Sequence, residues 1–191
     1  MKKRNVSLKT LSLEIFSIVF AVLLALTLDS WKEQRKDQKR IGKALSDISM
    51  EIDYFLNILE RGPNTNQQAF DSLNYAIEMY ESGKKANFNF GIGRPEMSSL
   101  AWQSSKESGI TAKFTRSLFL DIAEVYIEYD RLTSVFDLHT EFMLKADPDM
   151  SEYTRAKYTV KHLRTVLFRI EDLKRKANEF KEKYKEELFI N

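Results

Sequence analysis

From Thr10 to Leu28 the chain reads TLSLEIFSIVFAVLLALTL, apolar on every side of a helix apart from Glu14. A helix with no polar face suits lipid better than a place in a soluble core, where one side meets water. About 19 residues at roughly 1.5 Å rise cover some 28 Å, the thickness of a bilayer's hydrocarbon, so the pattern predicts a membrane-spanning helix over residues 10–30. Beyond it the apolar positions narrow to a stripe: Ile41, Leu45, Ile48, Ile52, Phe55 and Leu59 alternate steps of four and three, a heptad seam. Extended backward, the seam reaches Gln38, Gln34 and Trp31, so the spanning helix is expected to run on into a stalk over residues 31–60. Gly62-Pro63-Asn64 stops it, because proline removes a donor and disfavours helical geometry at the residue before it.

Four further helices follow from the same periodicity. Phe70, Leu73, Ile77 and Tyr80 form the stripe of the next, closed by Gly83, and residues 84–97 read as a connection. Ser98 or Ser99 is expected to cap a short helix through Trp102 and Glu107, ended by Ser108-Gly109. A long helix from about Ala112 to Lys145 would bury Phe114, Leu118, Ile122, Val125, Tyr129, Leu132, Phe136 and Met143, and Asp147-Pro148 ends it. Capped by Ser151, the last helix carries Leu163, Val166, Ile170, Leu173, Ala177, Phe180 and Tyr184 as a second heptad seam. Two long seams at opposite ends of the chain favour an antiparallel pairing of the first and last helices within a bundle; coiled-coil pairing between copies is the rival. The fold class expected is therefore all-α: a basic tail over residues 1–9, a span over 10–30 and a helical bundle domain over 31–191.

Composition supports helices. Among 191 residues there are only 6 Gly and 3 Pro, too few turn-formers for many short strands. Lys and Arg total 30 against 28 Asp and Glu, interspersed, which gives no reason to expect a nucleic-acid partner. The absence of cysteine excludes disulfides, thiolate metal sites and a cysteine nucleophile.

Lys2, Lys3, Arg4 and Lys9 flank the span on one side, and Trp31, Lys32 and Arg35 form the expected membrane interface on the other. A cleaved signal peptide competes with this reading, but Glu14 interrupts its apolar region and Ala25-Leu26-Thr27 is a poor cleavage site. Orientation by positive charge nearly cancels, since Lys32, Arg35, Lys36, Lys39, Arg40 and Lys43 follow the span. Translocating a short tail with Lys-Lys-Arg and the free amine is costly, whereas long domains cross largely regardless of charge. The lean is to a cytoplasmic N-terminus and an extracytoplasmic bundle, in a bacterial inner membrane.

Glu14-Ile15, Ala21, Ala25 and Trp31-Lys32-Glu33 together resemble the signature of a family of small, uncharacterised bacterial single-span membrane proteins. In that pattern Glu-Ile opens the span, a small residue follows seven positions on, Ala comes four later and a polar pair precedes Trp. Ala101-Trp102, Ser108-Gly109 and a helix with Tyr126 and Tyr129 extend the similarity. Departures are Ala21 in place of Gly, Thr27 in place of an amide and Asp29-Ser30 in place of Asn-Asn. The resemblance touches about a quarter of the chain; it implies the single-span architecture and no activity.

Glu14 is the residue with most to say about function, because a carboxylate inside a span costs a few kcal/mol unless it is neutralised, paired or near water. It can snorkel to headgroup water or pair with Lys9 or Arg4, face another helix in an assembly, or serve as a proton or ion relay. Ser17, Ala21 and Ala25 recur every fourth residue on nearly the same face, as close helix packing in lipid requires, so a homo-oligomer through Glu14, Ser17, Ala21 and Ala25 is expected. Elsewhere the candidates are weak. His139 and His162 have no second ligand at metal spacing, Asp147, Asp149 and Glu152 suit helix capping, and Gly91-Ile92-Gly93 lacks the rest of a phosphate loop. The alternating charges of the last helix read as a solvated face, the more one-sided cluster Lys32 to Lys43 as a contact for anionic lipid if that side is cytoplasmic, and the aromatic stripe around Trp102 as core. No catalytic, cofactor or metal residue is expected. The reading is a membrane-anchored interaction or scaffolding module with the bilayer and an unknown protein as partners; the alternative is an oligomeric pore in which Glu14, Ser17 and Thr27 line the interior.

Overall fold

The structure is a computed structural model; it describes residues 8–61, 65–86 and 92–188, with side chains over 13–60, 65–86 and 92–186. It is all-α. Helix α1 is Leu8–Arg61, α2 Thr65–Glu81, α3 Leu100–Glu107, α4 Arg116–Lys145, α5 Glu152–Lys183 and α6 Lys185–Leu188, with a 3-10 turn at Ile110–Lys113. The chain forms two compact units, residues 1–43 and 44–191. The basic tail's Lys2, Lys3 and Arg4 and the stop at Gly62-Pro63-Asn64 lie outside the described residues.

In the second unit α5 is the axis. It runs antiparallel to α4, as Glu124 opposite Lys176, His139 opposite His162 and Phe142 opposite Tyr158 show. It also runs antiparallel to the last turns of α1, since Asp53 pairs with Lys181 whereas Ile58 and Leu59 share a groove with Leu167 and Ile170. Helix α2 does not reverse this course. Phe70 lies beneath Arg164 and Tyr80 packs on Tyr153, so as numbering rises from Asp53 through α2 to Tyr80, the partner on α5 falls from Lys181 to Tyr153. The end of α1 and α2 together therefore line the whole of α5.

Most positions of the two seams are buried, and Ile41, Leu59 and Ile170 are half-buried. Leu45, Ile48, Ile52 and Phe55 of α1 and Leu163, Val166, Leu173, Ala177, Phe180 and Tyr184 of α5 are all buried. Each Leu, Ile, Val or Phe among them taken from water contributes about 1.5–3 kcal/mol. Phe55 stacks on Tyr129 at 5.2 Å and meets Tyr126 edge-on at 5.8 Å, so α1's seam serves α4 as well as the last helix. On the other flank Ala69 and Leu73 of α2 join Ala156, Val160 and Leu163 of α5 in a second cluster.

Helix ends explain where the expected boundaries shift. Ser151 caps α5 as expected, accepting from the Thr154 amide at 3.2 Å. Gly83 at φ 76° closes α2, with its amide donating to Tyr80 and that of Lys84 to Met79, a paired arrangement that needs a left-handed residue. Helix α4 starts at Arg116 and not near Ala112, because Thr115 caps it and residues 110–113 form a tighter turn after Gly109 at φ 71°. Met143, expected on the buried side of α4, is exposed: Phe142 takes the position against Tyr158 and His162 of α5 there, and Met143 and Leu144 are left exposed. The Asp147 carboxylate accepts from the Asp149 amide at 2.9 Å, fixing the turn between α4 and α5.

Candidate functional site

The first unit presents α1 from Leu13 to Lys43 with nearly every side chain exposed. Leu13, Ile15, Phe16, Ile18, Val19, Phe20, Val22, Leu23, Leu24, Leu26 and Leu28 are all exposed, between 49% and 70%. No side of the helix is covered, and its most apolar 18-residue window, of mean hydropathy 2.0, has none of its residues buried. The segment is long and apolar enough to cross a membrane. Thr27 spends its hydroxyl within the helix, donating to Leu23 O at 2.6 Å and lying 3.0 Å from Leu24 O, so it offers little polarity outward.

Glu14, Ser17, Ala21 and Ala25 are exposed along this segment. Side chains of Lys9 and Arg4, its suggested partners, lie outside the described ones. Trp31 is 54% exposed, with the Arg35 guanidinium 4.3 Å from its ring centre, and Lys32 is exposed beside them. The basic residues Lys32, Arg35, Lys36, Lys39, Arg40 and Lys43 all reach solvent.

Within the second unit the polar groups are mostly spent on structure. The Glu51 carboxylate of α1 accepts from the Ala101 amide at 3.1 Å, the Trp102 amide at 3.4 Å and the Tyr126 hydroxyl at 2.5 Å. It thereby shares the capping of α3 with Ser98, one of the two serines expected there, whose hydroxyl accepts from the Leu100 amide at 3.2 Å; Ser99 makes no side-chain cap. Burial, then the Glu51 hydrogen bond and charge, raise the Tyr126 hydroxyl far above its ordinary pKa. Trp102 stacks on Tyr126 at 5.5 Å and both are buried, so the aromatic stripe is core as expected.

Two further knots tie α4 to α5. Asp121 accepts from Lys183 and from the Tyr184 hydroxyl at 2.6 Å; burial alone would raise its pKa, and these donors more than offset that, holding it below the usual carboxylate value. Glu128, 8% exposed, is paired by Arg131 and, at 3.4 Å, by Arg169, which also reaches Asp172 at 3.5 Å. The balanced charges of the last helix are accounted for by such pairs: Lys174 with Glu171, Arg175 with Asp172 and Glu179, Lys176 with Glu124. Glu152 accepts from Tyr80 at 3.0 Å besides opening α5.

His139 and His162 look isolated in the sequence, yet the structure sets their rings 5.3 Å apart, edge to face, with Phe142 alongside at 5.9 Å from His162. Burial, then the neighbouring ring, lowers the pKa of His139; burial, then Lys161, lowers that of His162. Among the described residues no three His, Asp or Glu side chains gather where a metal could sit. An open groove of about 290 Å³ lies between Ile58 and Leu59 of α1, Asn66 of α2, Gly93, and Leu167 and Ile170 of α5. Asn66 closes one end by exchanging two 2.9 Å hydrogen bonds with the backbone of Gly93. Gly91, the start of the expected glycine turn, lies outside the described residues; Gly93 is thus engaged by a side-chain amide. None of these clusters sets an unengaged nucleophile beside a base.

No protein-family profile, curated protein or solved structure matches the chain.

Proposed function

We propose that the chain is a single-pass membrane protein of the bacterial inner membrane, anchored through residues 10–30, whose helical bundle is an interaction or scaffolding module without catalytic activity. The observation that carries this reading is the uncovered apolar circumference of α1 from Leu13 to Leu28. In water, about ten bulky side chains on a solitary helix would form an apolar surface far larger than soluble monomers tolerate, and a bilayer removes that cost. Supporting it are Trp31 with Arg35 at the segment's end, where an amphipathic ring meets headgroups, and the engagement of the bundle's buried carboxylates in capping and ion pairing.

The anchor's face of Glu14, Ser17, Ala21 and Ala25 is the proposed contact between copies, with the N-terminus cytoplasmic and the bundle outside. Crosslinking of full-length protein in membranes tests the contact. Ala21→Ile with Ala25→Ile is expected to abolish the crosslinked species, and an unchanged yield rejects the interface. Thr27, whose hydroxyl bonds to its own helix, favours an anchor over a pore. Planar-bilayer recordings of the purified protein should accordingly be silent; conductance lost in Glu14→Ala would favour the pore. A compartment-specific reporter fused after Asn191 reads the orientation.

A further inference from the structure

The cations that follow the apolar segment are not spread around the helix. Lys32, Lys36, Lys39 and Lys43 recur at steps of four, three and four, and with Arg35 and Arg40 they fall within an arc of roughly 140°. Glu33 and Asp37 fall outside that arc, Asp29 and Asp47 share it just beyond its two ends, and Ile41 and Leu45 lie on the opposite side. From Arg169 to Lys183 of α5 the cations find carboxylates, as Arg169, Lys174, Arg175, Lys176, Lys181 and Lys183 do. Among the described residues, by contrast, Lys32, Lys36, Lys39, Arg40 and Lys43 are exposed and have no carboxylate partner. Five or six like charges held on one face of a helix repel one another, and a counter-charge from outside the chain relieves that repulsion.

Register identifies what that face adjoins. Lys32, Arg35, Lys39 and Lys43 each lie eighteen positions beyond Glu14, Ser17, Ala21 and Ala25 respectively, about five turns at 3.6 residues per turn. The basic stripe therefore prolongs the small-residue face of the span. Parallel copies joined through that face would bring their cations together, so the counter-charge must sit at the same place as the contact. At about 1.5 Å per residue the stripe extends roughly 16 Å, comparable with a headgroup layer of about 6 Å plus a Debye length of about 8 Å.

We infer that the Lys32–Lys43 face is a binding surface for anionic lipid headgroups, which supply the negative charge that lets copies of the span approach through Glu14, Ser17, Ala21 and Ala25. This rests on the membrane reading above. Its ligand chemistry is the phosphate of an anionic phospholipid such as phosphatidylglycerol, met by ammonium and guanidinium groups in the leaflet that Trp31 adjoins, and it operates on whichever side of the membrane that leaflet lies, provided it carries such a lipid.

Trp31 is a built-in reporter, since it is exposed beside the stripe and the chain's other tryptophan, Trp102, is 6% exposed in the bundle. Full-length protein is reconstituted in phosphatidylcholine vesicles containing a fixed minority of phosphatidylglycerol, with bromine carried either by the phosphatidylglycerol or by an equal amount of phosphatidylcholine. The expected result is quenching of Trp31 at least about two-fold stronger by the brominated anionic lipid, weakening as salt is raised. Replacing Lys32, Lys36, Lys39 and Lys43 by Gln should abolish the preference, and replacing all four by Arg should keep it; all four are exposed, so neither set disturbs the core. Equal quenching by the two lipids overturns the inference while leaving the span in place. Quenching by neither overturns the membrane reading itself.

Discussion

One helix, α1, holds two stretches of similar length and opposite surroundings. From Leu13 to Leu28 its apolar residues circle the axis and all are exposed; from Ala44 to Leu56 all but Met50 and Tyr54 form one stripe, and Ile48, Ile52 and Phe55 have no exposed surface at all. Backbone geometry is the same in both, so the difference lies in the distribution of side chains. A stripe can be satisfied by neighbouring helices, which cover one side and leave the polar side to water. A full circumference needs either burial on all sides or an apolar solvent, and among the described residues nothing buries it.

The sharpest way to break this comparison is to make the same kind of truncation in both stretches. Phe55→Ala empties a site between Tyr126 and Tyr129 and should lower the stability of the bundle by about 3–5 kcal/mol, read by urea unfolding in detergent. Leu23→Ala should leave that midpoint unchanged. A charge reverses the pattern: Leu23→Arg should oppose insertion by about 2.5–3.5 kcal/mol, visible as a loss of the membrane-inserted fraction, without altering the unfolding of whatever protein is made. A smaller effect is expected at the polar knot. Tyr126→Phe removes a hydrogen bond to a charged carboxylate and should cost about 1.5–3 kcal/mol, while Tyr75→Phe, exposed on α2, should cost nothing measurable.

Smaller again is a pH effect confined to the second unit. His139 and His162 have folded-state pKa values below the ordinary 6.5, so the unfolded chain binds protons that the folded one refuses. Their contribution to stability is complete above about pH 6.5 and falls as pH drops from there through the lower folded values. Urea midpoints measured at descending pH should fall over that window, and less steeply in His139→Gln with His162→Gln. An equal slope in that variant would remove the pair from the account.

Much of the fold can be read from spacing alone. The seams at residues 41–59 and 163–184, the turn at Asp147-Pro148 and the closing roles of Gly83 and Gly109 depend on local periodicity or on backbone angles that few residues adopt. The features missed need two distant segments in register. Glu51 caps α3 from another helix, and its sequence signal is only a carboxylate beside a seam. The histidines meet because they stand nearly equidistant from the α4–α5 turn, a relation that appears once the hairpin is drawn folded. The packing of α2 along α5, Ala69 and Leu73 against Val160 and Leu163, likewise depends on two segments far apart in the chain. For the candidate site the position differs. The apolar segment and its basic flank are local patterns, so Glu14, Ser17, Ala21, Ala25, Trp31, Lys32 and Arg35 could all be picked out by spacing, and the structure adds that they are exposed.

The central claim is that residues 10–30 lie in a bilayer, uncleaved. Full-length protein in membranes from cells expressing it should remain in the pellet through an alkaline carbonate wash, be released by detergent, and give an N-terminal peptide that still contains Glu14. Recovery in the soluble fraction without detergent, with that peptide intact, would contradict it.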